Sequence, residues 1–335
     1  MSVLVTGGAG YIGSHMVLEL LDSGEKPVVI DDLSTGFRWA VPADVPFIEG
    51  DISDGPLVER VLREHKVDAI VHFAARIVVP DSVADPLGYY LANTMKTRNL
   101  LEAAVRAEVP HFVFSSTAAV YGNPPVNPVS EDSAPNPMSP YGMSKLMSEI
   151  MLRDTCIAHG LRYVVLRYFN VAGADPQGRT GQSTPNATHL IKVACQAALG
   201  HRPHMDVFGT DYETRDGTCV RDYIHVTDLV RAHVLSLRHL RADTDGASLT
   251  LNCGYGQGHS VLEVIESVKR VSGVDFDVNL VPRRPGDPAK IVAAADRIRH
   301  ALGWVPVHDD LDTIVSQALA WEENLAARAR QTNAA

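Results

Sequence analysis

Ser2-Val3-Leu4-Val5-Thr6-Gly7-Gly8-Ala9-Gly10-Tyr11-Ile12-Gly13 opens the chain, and its reading decides the fold. A short aliphatic run, Val3–Thr6, passes directly into a turn with Gly8, Gly10 and Gly13, and then into the helical pattern Ile12–Leu21. Strand, G-x-G-x-x-G turn and helix, in that order, form the first junction of a dinucleotide-binding unit. Glycines let the turn bend sharply and let backbone amides at the positive helix end approach a pyrophosphate. The acidic residue expected about 20 positions on is present, because Val28-Val29-Ile30-Asp31 closes the second strand with a carboxylate and Asp32 follows. A carboxylate there accepts from ribose hydroxyls and repels a 2′-phosphate, so NAD is expected rather than NADP. Asp51-Ile52, after the third strand, stands where a carboxylate would reach the adenine amino group.

Outward from this stretch, apolar runs alternate with amphipathic ones. The strand-like runs are Val3–Thr6, Pro27–Asp31, Phe47–Glu49, Ala69–Phe73, Phe112–Ser115 and Tyr163–Arg167. The helical patterns between them are Ile12–Leu21, Leu57–Glu64, Leu87–Ala107 and Ser144–His159. Such alternation implies a parallel sheet, since each parallel strand needs a crossover. Strands as apolar as Asp68–Phe73 imply burial on both faces. The expected fold is therefore α/β, a doubly wound parallel sheet of Rossmann type with a smaller mixed α/β C-terminal lobe.

The expected division is 1–170 for the first unit and 171–331 for the second, with part of the chain returning to the first. Val171–Gln182, rich in Gly and Pro, reads as a mobile loop. Beyond it, helices are expected near Thr188–Leu199, Val226–Leu240, Val261–Val271 and Leu311–Ala327. Strands are expected near Val207, Ile224, Ser248–Asn252 and Phe276–Val281, and Gln331–Ala335 should fray.

Composition narrows the function classes. The 335 residues are 45% hydrophobic and 21% charged, which excludes a disordered or fibrous chain. No stretch approaches 18 uninterrupted apolar residues, so no membrane span is expected. Thirty basic against 40 acidic residues give a net charge of -10, which offers no general attraction for nucleic acid or anionic membrane. The N-terminus enters folded structure at once, with no signal-peptide pattern, so a cytoplasmic location is expected. Cys156, Cys195, Cys219 and Cys253 lack C-x-x-C or zinc spacing and read as reduced, packed thiols, with no metal site.

The sharpest chemistry is in Thr117, Tyr141 and Lys145. In Tyr141-Gly142-Met143-Ser144-Lys145 the two side chains are four apart, on one helical face. A tyrosine titrates near 10 and is a poor base at neutral pH. A neighbouring ammonium and a positive nicotinamide ring would stabilise the phenolate, and lowering it by about 3 units takes roughly 4 kcal/mol. Thr117 follows the fifth strand, at the carboxyl end where such sheets place ligands.

These residues, with Ser115–Gly122 and Leu166-Arg167-Tyr168-Phe169-Asn170, resemble the extended short-chain dehydrogenase/reductase family. Phe208–Tyr212, Arg221–His225 and Pro282-Arg283-Arg284-Pro285-Gly286-Asp287 narrow the resemblance to its nucleotide-sugar epimerases, over essentially the whole chain. The resemblance implies an isomerase that interconverts UDP-galactose and UDP-glucose with tightly bound NAD. Tyr141 would be the base, Lys145 would hold the nicotinamide ribose, and Thr117 would bond the sugar 4-hydroxyl. Gly7, Gly10, Tyr11, Ile12, Gly13, Asp31, Asp32, Leu33, Ser34, Asp51, Ile52, Phe73, Ala74, Ala75, Asn93, Ser115, Tyr168 and Phe169 would line the NAD site. Asn170, His189, Leu190, Phe208, Arg221, Arg284 and Asp287 would hold the UDP-sugar, with both arginines on its pyrophosphate. The family also implies a homodimer through Leu87–Ala107 and Ser144–His159, with Tyr89, Leu100, Leu101 and Met147 at the seam.

Departures from the family pattern bear on the reading. Thr117 replaces the more usual serine and keeps the hydroxyl. Arg76 either replaces a lysine near the pyrophosphate or points outward, and His189 stands where asparagine is common. Ile291 occupies a position where a bulky aromatic often closes the sugar pocket, and a smaller residue there would admit N-acetylated sugars; an epimerase of UDP-GlcNAc, UDP-glucuronate or a UDP-pentose is the alternative reading. A 4,6-dehydratase would carry an acid and a base directly after the threonine. Here those positions are Ala118 and Ala119, whose methyl groups move no protons. A non-catalytic NAD-binding regulator would typically lack the tyrosine or the lysine, and this chain has both.

Overall fold

Val3 and Val5 face one side of the first strand and Leu4 the other, and all three are fully buried. Two apolar layers therefore enclose the sheet that this strand belongs to, in a computed structural model that describes residues 1–185, 187–242, 247–284 and 287–334. Strands β1 (Ser2–Thr6), β2 (Lys26–Asp31), β3 (Phe47–Glu49), β4 (Val67–His72), β5 (His111–Ser115) and β6 (Arg162–Tyr168) are all parallel. Each begins and ends within two residues of its expected bounds. The intervening helices are α1 (Tyr11–Asp22), α2 (Gly55–Glu64), α3 (Val79–Ala84), α4 (Pro86–Tyr89), α5 (Lys96–Arg106) and α6 (Pro140–His159).

The second half supplies β7 (Asn170–Ala172), α7 (Leu190–Ala198), β8 (Met205–Phe208), β9 (Val220–His225), α8 (Val226–Arg241) and β10 (Leu249–Cys253). Strand β10 pairs in parallel with β6 and completes a seven-stranded sheet, β10-β6-β5-β4-β1-β2-β3. Met16, Val17 and Leu20 of α1 share one core layer with Leu229, Val230 and Leu237 of α8. Val58, Val61 and Leu62 of α2 share the opposite layer with Leu100 and Leu101 of α5. The chain then forms β11 (Gly258–Ser260), α9 (Val261–Ser272), β12 (Val278–Val281), β13 (Lys290–Ile291), α10 (Asp296–Leu302) and α11 (Leu311–Ala334). A small sheet joins β7, β11 and β13 to β9, and β12 pairs with β8. Among the described residues no helix is long and apolar enough to cross a membrane.

Five expectations are refined or corrected. The helix expected over Leu87–Ala107 runs from Pro86 to Arg106, but it is not regular, because it widens into a π turn, Tyr90–Met95, between α4 and α5. There the Asn93 carbonyl accepts from the Thr97 hydroxyl (2.5 Å) and the Ser148 hydroxyl (3.2 Å), which suits a locally widened helix. Helix α6 starts at Pro140 instead of Ser144, since the Ser139 hydroxyl caps it by accepting from Gly142 N (3.2 Å), with proline in the first turn.

The segment 171–182 is pinned, not loose. Tyr11 donates to Gly173 O (2.7 Å), Ser14 and Thr180 share a hydrogen bond (2.9 Å), and Arg179 bridges Asp22 and Asp175. Finally, Tyr89, Leu100 and Leu101 lie in the protein's own core, whereas Met147 is outward, near Leu91 and Ile150, which are also exposed. The last helix runs beyond Ala327 to Ala334, and Ala335 lies outside the described residues.

Candidate active site

Every strand of the parallel sheet delivers its carboxyl end to one edge, and the expected residues gather there. At β1 the chain turns through Gly7, whose φ is +70°. A Cβ at Gly7 would lie 2.8 Å from Ala74 N, and one at Gly13 would lie 2.1 Å from Gly7 O. Backbone thus packs on backbone, and only hydrogen fits. Helix α1 begins at Tyr11 with no side-chain cap, so the amides of its first turn remain available to an anion.

Asp31 binds this turn to the loop beyond β2. Its carboxylate accepts from Ala9 N (2.9 Å) and Leu33 N (2.8 Å), and Leu33 takes a φ of +56°. Burial pushes Asp31 above the usual carboxylate range, with the two amides pulling it back. Asp32 accepts from the Ser34 amide and hydroxyl. Asp51 is engaged by Lys96 (2.5 Å) and by Ser53, which hold it below its ordinary value although burial works the other way. Ile52 beside it is buried. Phe73 packs on His233 with ring centroids 4.9 Å apart. Asn93, buried in the π turn, fixes the backbone of Arg76 through both amide atoms and donates to Ser144. Arg76 itself points outward, to Asp85 (2.8 Å) and over the Tyr89 ring. Glycine cradle, free helix amides and ribose-side carboxylate fit a dinucleotide.

Tyr141 and Lys145 project from the first turns of α6 toward the ends of β5 and β6. Thr117 caps the short turn after β5 and hydrogen-bonds the Tyr141 phenol, which is buried and pushed up to about 12 by desolvation, against the pull of that bond. Lys145 is only 3% exposed. Its ammonium donates to Ser115 O (3.0 Å) and lies 5.0 Å from the Phe114 ring. Burial draws Lys145 down to about 8, with the Glu149 carboxylate acting in the opposite sense. Ser115 also meets His233 Nε2 (2.9 Å) through its hydroxyl. Tyr168 is pushed up by burial, and Phe169 is buried beside Ile291, Ala118 and Tyr121.

The candidate sugar-nucleotide residues form two groups. Asn170, His189 and Leu190 line a cavity with Tyr223 and Lys192, in which His189 contacts Gln182 Nε2 (2.7 Å) and burial lowers its pKa. Phe208 and Arg284 form the other, with the guanidinium 3.6 Å above the ring, beside Arg221, which pairs with Asp287 at 3.8 Å. Pro285 and Gly286 of the quoted motif lie outside the described residues.

Some residues at the site escape sequence reasoning. His72 bridges Thr6 (2.7 Å) and Thr97 (2.8 Å) beneath the glycine turn, and Lys96 reaches Asp51 across 45 residues of chain. Glu149, one helical turn beyond Lys145, was visible as the next member of a four-residue spacing. Its partner Arg167 stands in the Leu166–Asn170 motif, but no local spacing links it to Glu149.

Comparison with known proteins identifies the family. The model of the NAD dependent epimerase/dehydratase family matches residues 3–254. UDP-glucose 4-epimerase of Azospirillum brasilense is 60% identical over 332 residues, covering 99% of this chain and 95% of the relative. The crystal structure of UDP-glucose 4-epimerase from Brucella ovis in complex with NAD is 45% identical and superposes with a TM-score of 0.92, covering 95% of this chain and 97% of that one. A Stenotrophomonas maltophila UDP-glucose 4-epimerase with bound NAD and formylated UDP-arabinopyranose is 40% identical, with a TM-score of 0.94 over 98% of this chain and 99% of that one. The chain belongs to the NAD-dependent epimerase/dehydratase family, within the extended short-chain dehydrogenases/reductases.

Proposed function

We infer that this chain is a UDP-glucose 4-epimerase, an isomerase that inverts C4 of a UDP-hexose with the aid of NAD. The observation that carries the reading is the meeting of Thr117, Tyr141 and Lys145 at the sheet edge that also holds the glycine turn. Gly7–Gly13, Asp31, Asp51 and Phe73 would hold the dinucleotide, which supplies reversible two-electron oxidation at C4 when bound. Tyr141 takes the proton of the 4-hydroxyl, guided by the Thr117 hydroxyl, and returns it to the same oxygen once the sugar has turned its other face to the dinucleotide. Because burial holds Tyr141 near 12, its phenolate needs positive charge close by, and Lys145 is the protein's contribution. Between the two proton transfers the 4-keto sugar must turn over. The pyrophosphate is gripped through Arg221 and Arg284 while the sugar is held loosely.

Ala118 and Ala119 follow Thr117 in a short 3₁₀ turn, and neither carries a proton for elimination. The aliphatic Ile291, buried beside Phe169 and Ala118, favours a sugar range wider than hexoses with a free 2-hydroxyl. We further infer a cytoplasmic homodimer. Outward Leu87, Leu91, Met147 and Ile150 support the second copy, and four free cysteines suit a reducing compartment.

The test is conversion of UDP-galactose to UDP-glucose by the purified protein without added NAD, followed by NMR. Product supports both the reaction and a retained cofactor. No conversion of UDP-galactose, with NAD supplied, would remove the reading. In the same assay Tyr141→Phe is expected to keep NAD and lose at least about a hundredfold in kcat.

A further inference from the structure

One buried ion pair, Glu149 with Arg167, takes no part in the proton transfer, yet it joins the segments that carry Thr117, Tyr141 with Lys145, and Phe169 with Asn170. Glu149 lies on α6, four residues beyond Lys145. Its carboxylate takes Arg167 Nε (3.0 and 3.2 Å) and Nη2 (2.6 Å) side-on and accepts from the Ser116 hydroxyl. Arg167 Nη1 donates to the Tyr121 hydroxyl (3.1 Å), which donates to Asn252 Oδ1 (2.7 Å) on β10. Both charged side chains are 8% exposed.

The pair therefore ties three separate pieces together. Ser116 and Tyr121 flank Thr117, Glu149 shares the helix face of Tyr141 and Lys145, and Arg167 directly precedes Tyr168-Phe169-Asn170. Stability alone is a poor reason for such an arrangement, since apolar residues of like volume usually do as well in a core.

We propose that Glu149 and Arg167 are positioning residues for the epimerase reaction, locking the Thr117 turn, the Tyr141–Lys145 face and the Phe169–Asn170 segment in one geometry. The inference rests on the reading of the chain as an epimerase. Besides Glu149, the titratable groups about Lys145 and the Ser115 it binds include His72 on β4 and His233 on α8, both kept neutral by burial, Tyr168 on β6, and Tyr141 on its own helix. Glu149 is the negative charge that offsets the burial of the ammonium, which sits at about 8. Without it the ammonium gives up its proton at lower pH.

The experiment uses the NAD-containing enzyme and UDP-galactose. Glu149→Gln alone leaves Arg167 buried without its partner and can fail to fold, so the deciding variant is Glu149→Met/Arg167→Met, which removes both charges. It is expected to keep its thermal midpoint and a near-normal KM while kcat falls about a hundredfold, the scale of a small misplacement of reacting groups. The alkaline limb of its rate profile should move about one unit toward acid. Arg167→Lys should recover part of kcat and restore the alkaline limb, because Glu149 stays charged.

A folded double variant with wild-type kcat and pH profile overturns the proposal. So does a loss of activity that merely follows the fraction of protein unfolded. Absence of conversion by the wild-type enzyme counts against the epimerase reading instead, and so is told apart.

Discussion

At the scale of single residues, Gly13 shows how little room the cofactor turn allows. Its hydrogen faces Gly7 O, and a methyl group there would come within 2.1 Å of that oxygen and 2.8 Å of Gly8 Cα. The backbone of the turn cannot yield without moving α1. Gly13→Ala is expected to destabilise the protein by about 1–3 kcal/mol and to strip most of its NAD. Thermal unfolding, with the nucleotide released by acid measured by absorbance, checks both. Retention of NAD by a normally stable variant would show that the turn adapts. Tyr141 illustrates a different constraint. Spacing places it with Lys145, but only burial explains why it titrates at about 12 and depends on added positive charge.

At the scale of elements, the helical stretch that runs from α4 through the π turn into α5 carries two apolar groups with different surroundings. Leu100 and Leu101 lie in the core layer beneath the sheet, whereas Leu87 is 78% and Leu91 59% exposed. Across from them α6 exposes Met147 and Ile150. Exposed leucines and methionines on two neighbouring helices form a patch of the kind that marks an interface. Leu91→Asp with Ile150→Asp should convert a dimer into a monomer in sedimentation velocity, with the fold retained. An undisturbed dimer would place the interface elsewhere.

At the scale of the whole molecule, buried histidines set the response to acid. Burial lowers His15 and His233 to about 4 and His72 and His225 to about 3. Their folded values lie below the unfolded one, so between about pH 6.5 and 4 the unfolded chain binds more protons and acid destabilises the fold. At pH 5 each costs about 2 kcal/mol, or about 8 kcal/mol for four, which rivals the whole stability of a typical domain. Asp222 works the other way. Burial raises it to about 6, so its carboxyl is protonated first in the folded state and gains the protein only about 1 kcal/mol from about pH 6.5 to 5. The histidines win. The thermal midpoint should fall steeply from pH 6.5 to 5, and calorimetry giving a flat profile would contradict their neutral burial.

What could be read in the sequence was whatever depends on local spacing. Alternating apolar runs, the glycine turn at the end of β1 and the four-residue step from Tyr141 to Lys145 follow from strand and helix geometry, which every neighbouring residue repeats. They fixed the parallel sheet, the cofactor edge and the reactive pair, and motif resemblance extended this to the sugar-binding side. Packing alone decided the rest. Whether Arg76 turned in or out depended on Asp85 and Tyr89, and whether 171–182 was loose depended on Tyr11, Ser14 and Asp22. The pairs Asp51–Lys96 and Glu149–Arg167 join residues far apart in the chain, and β10 completes the first sheet from the second half. Helical and strand periods specify which face a residue occupies. Only closure of the sheet and its helices specifies what that face meets.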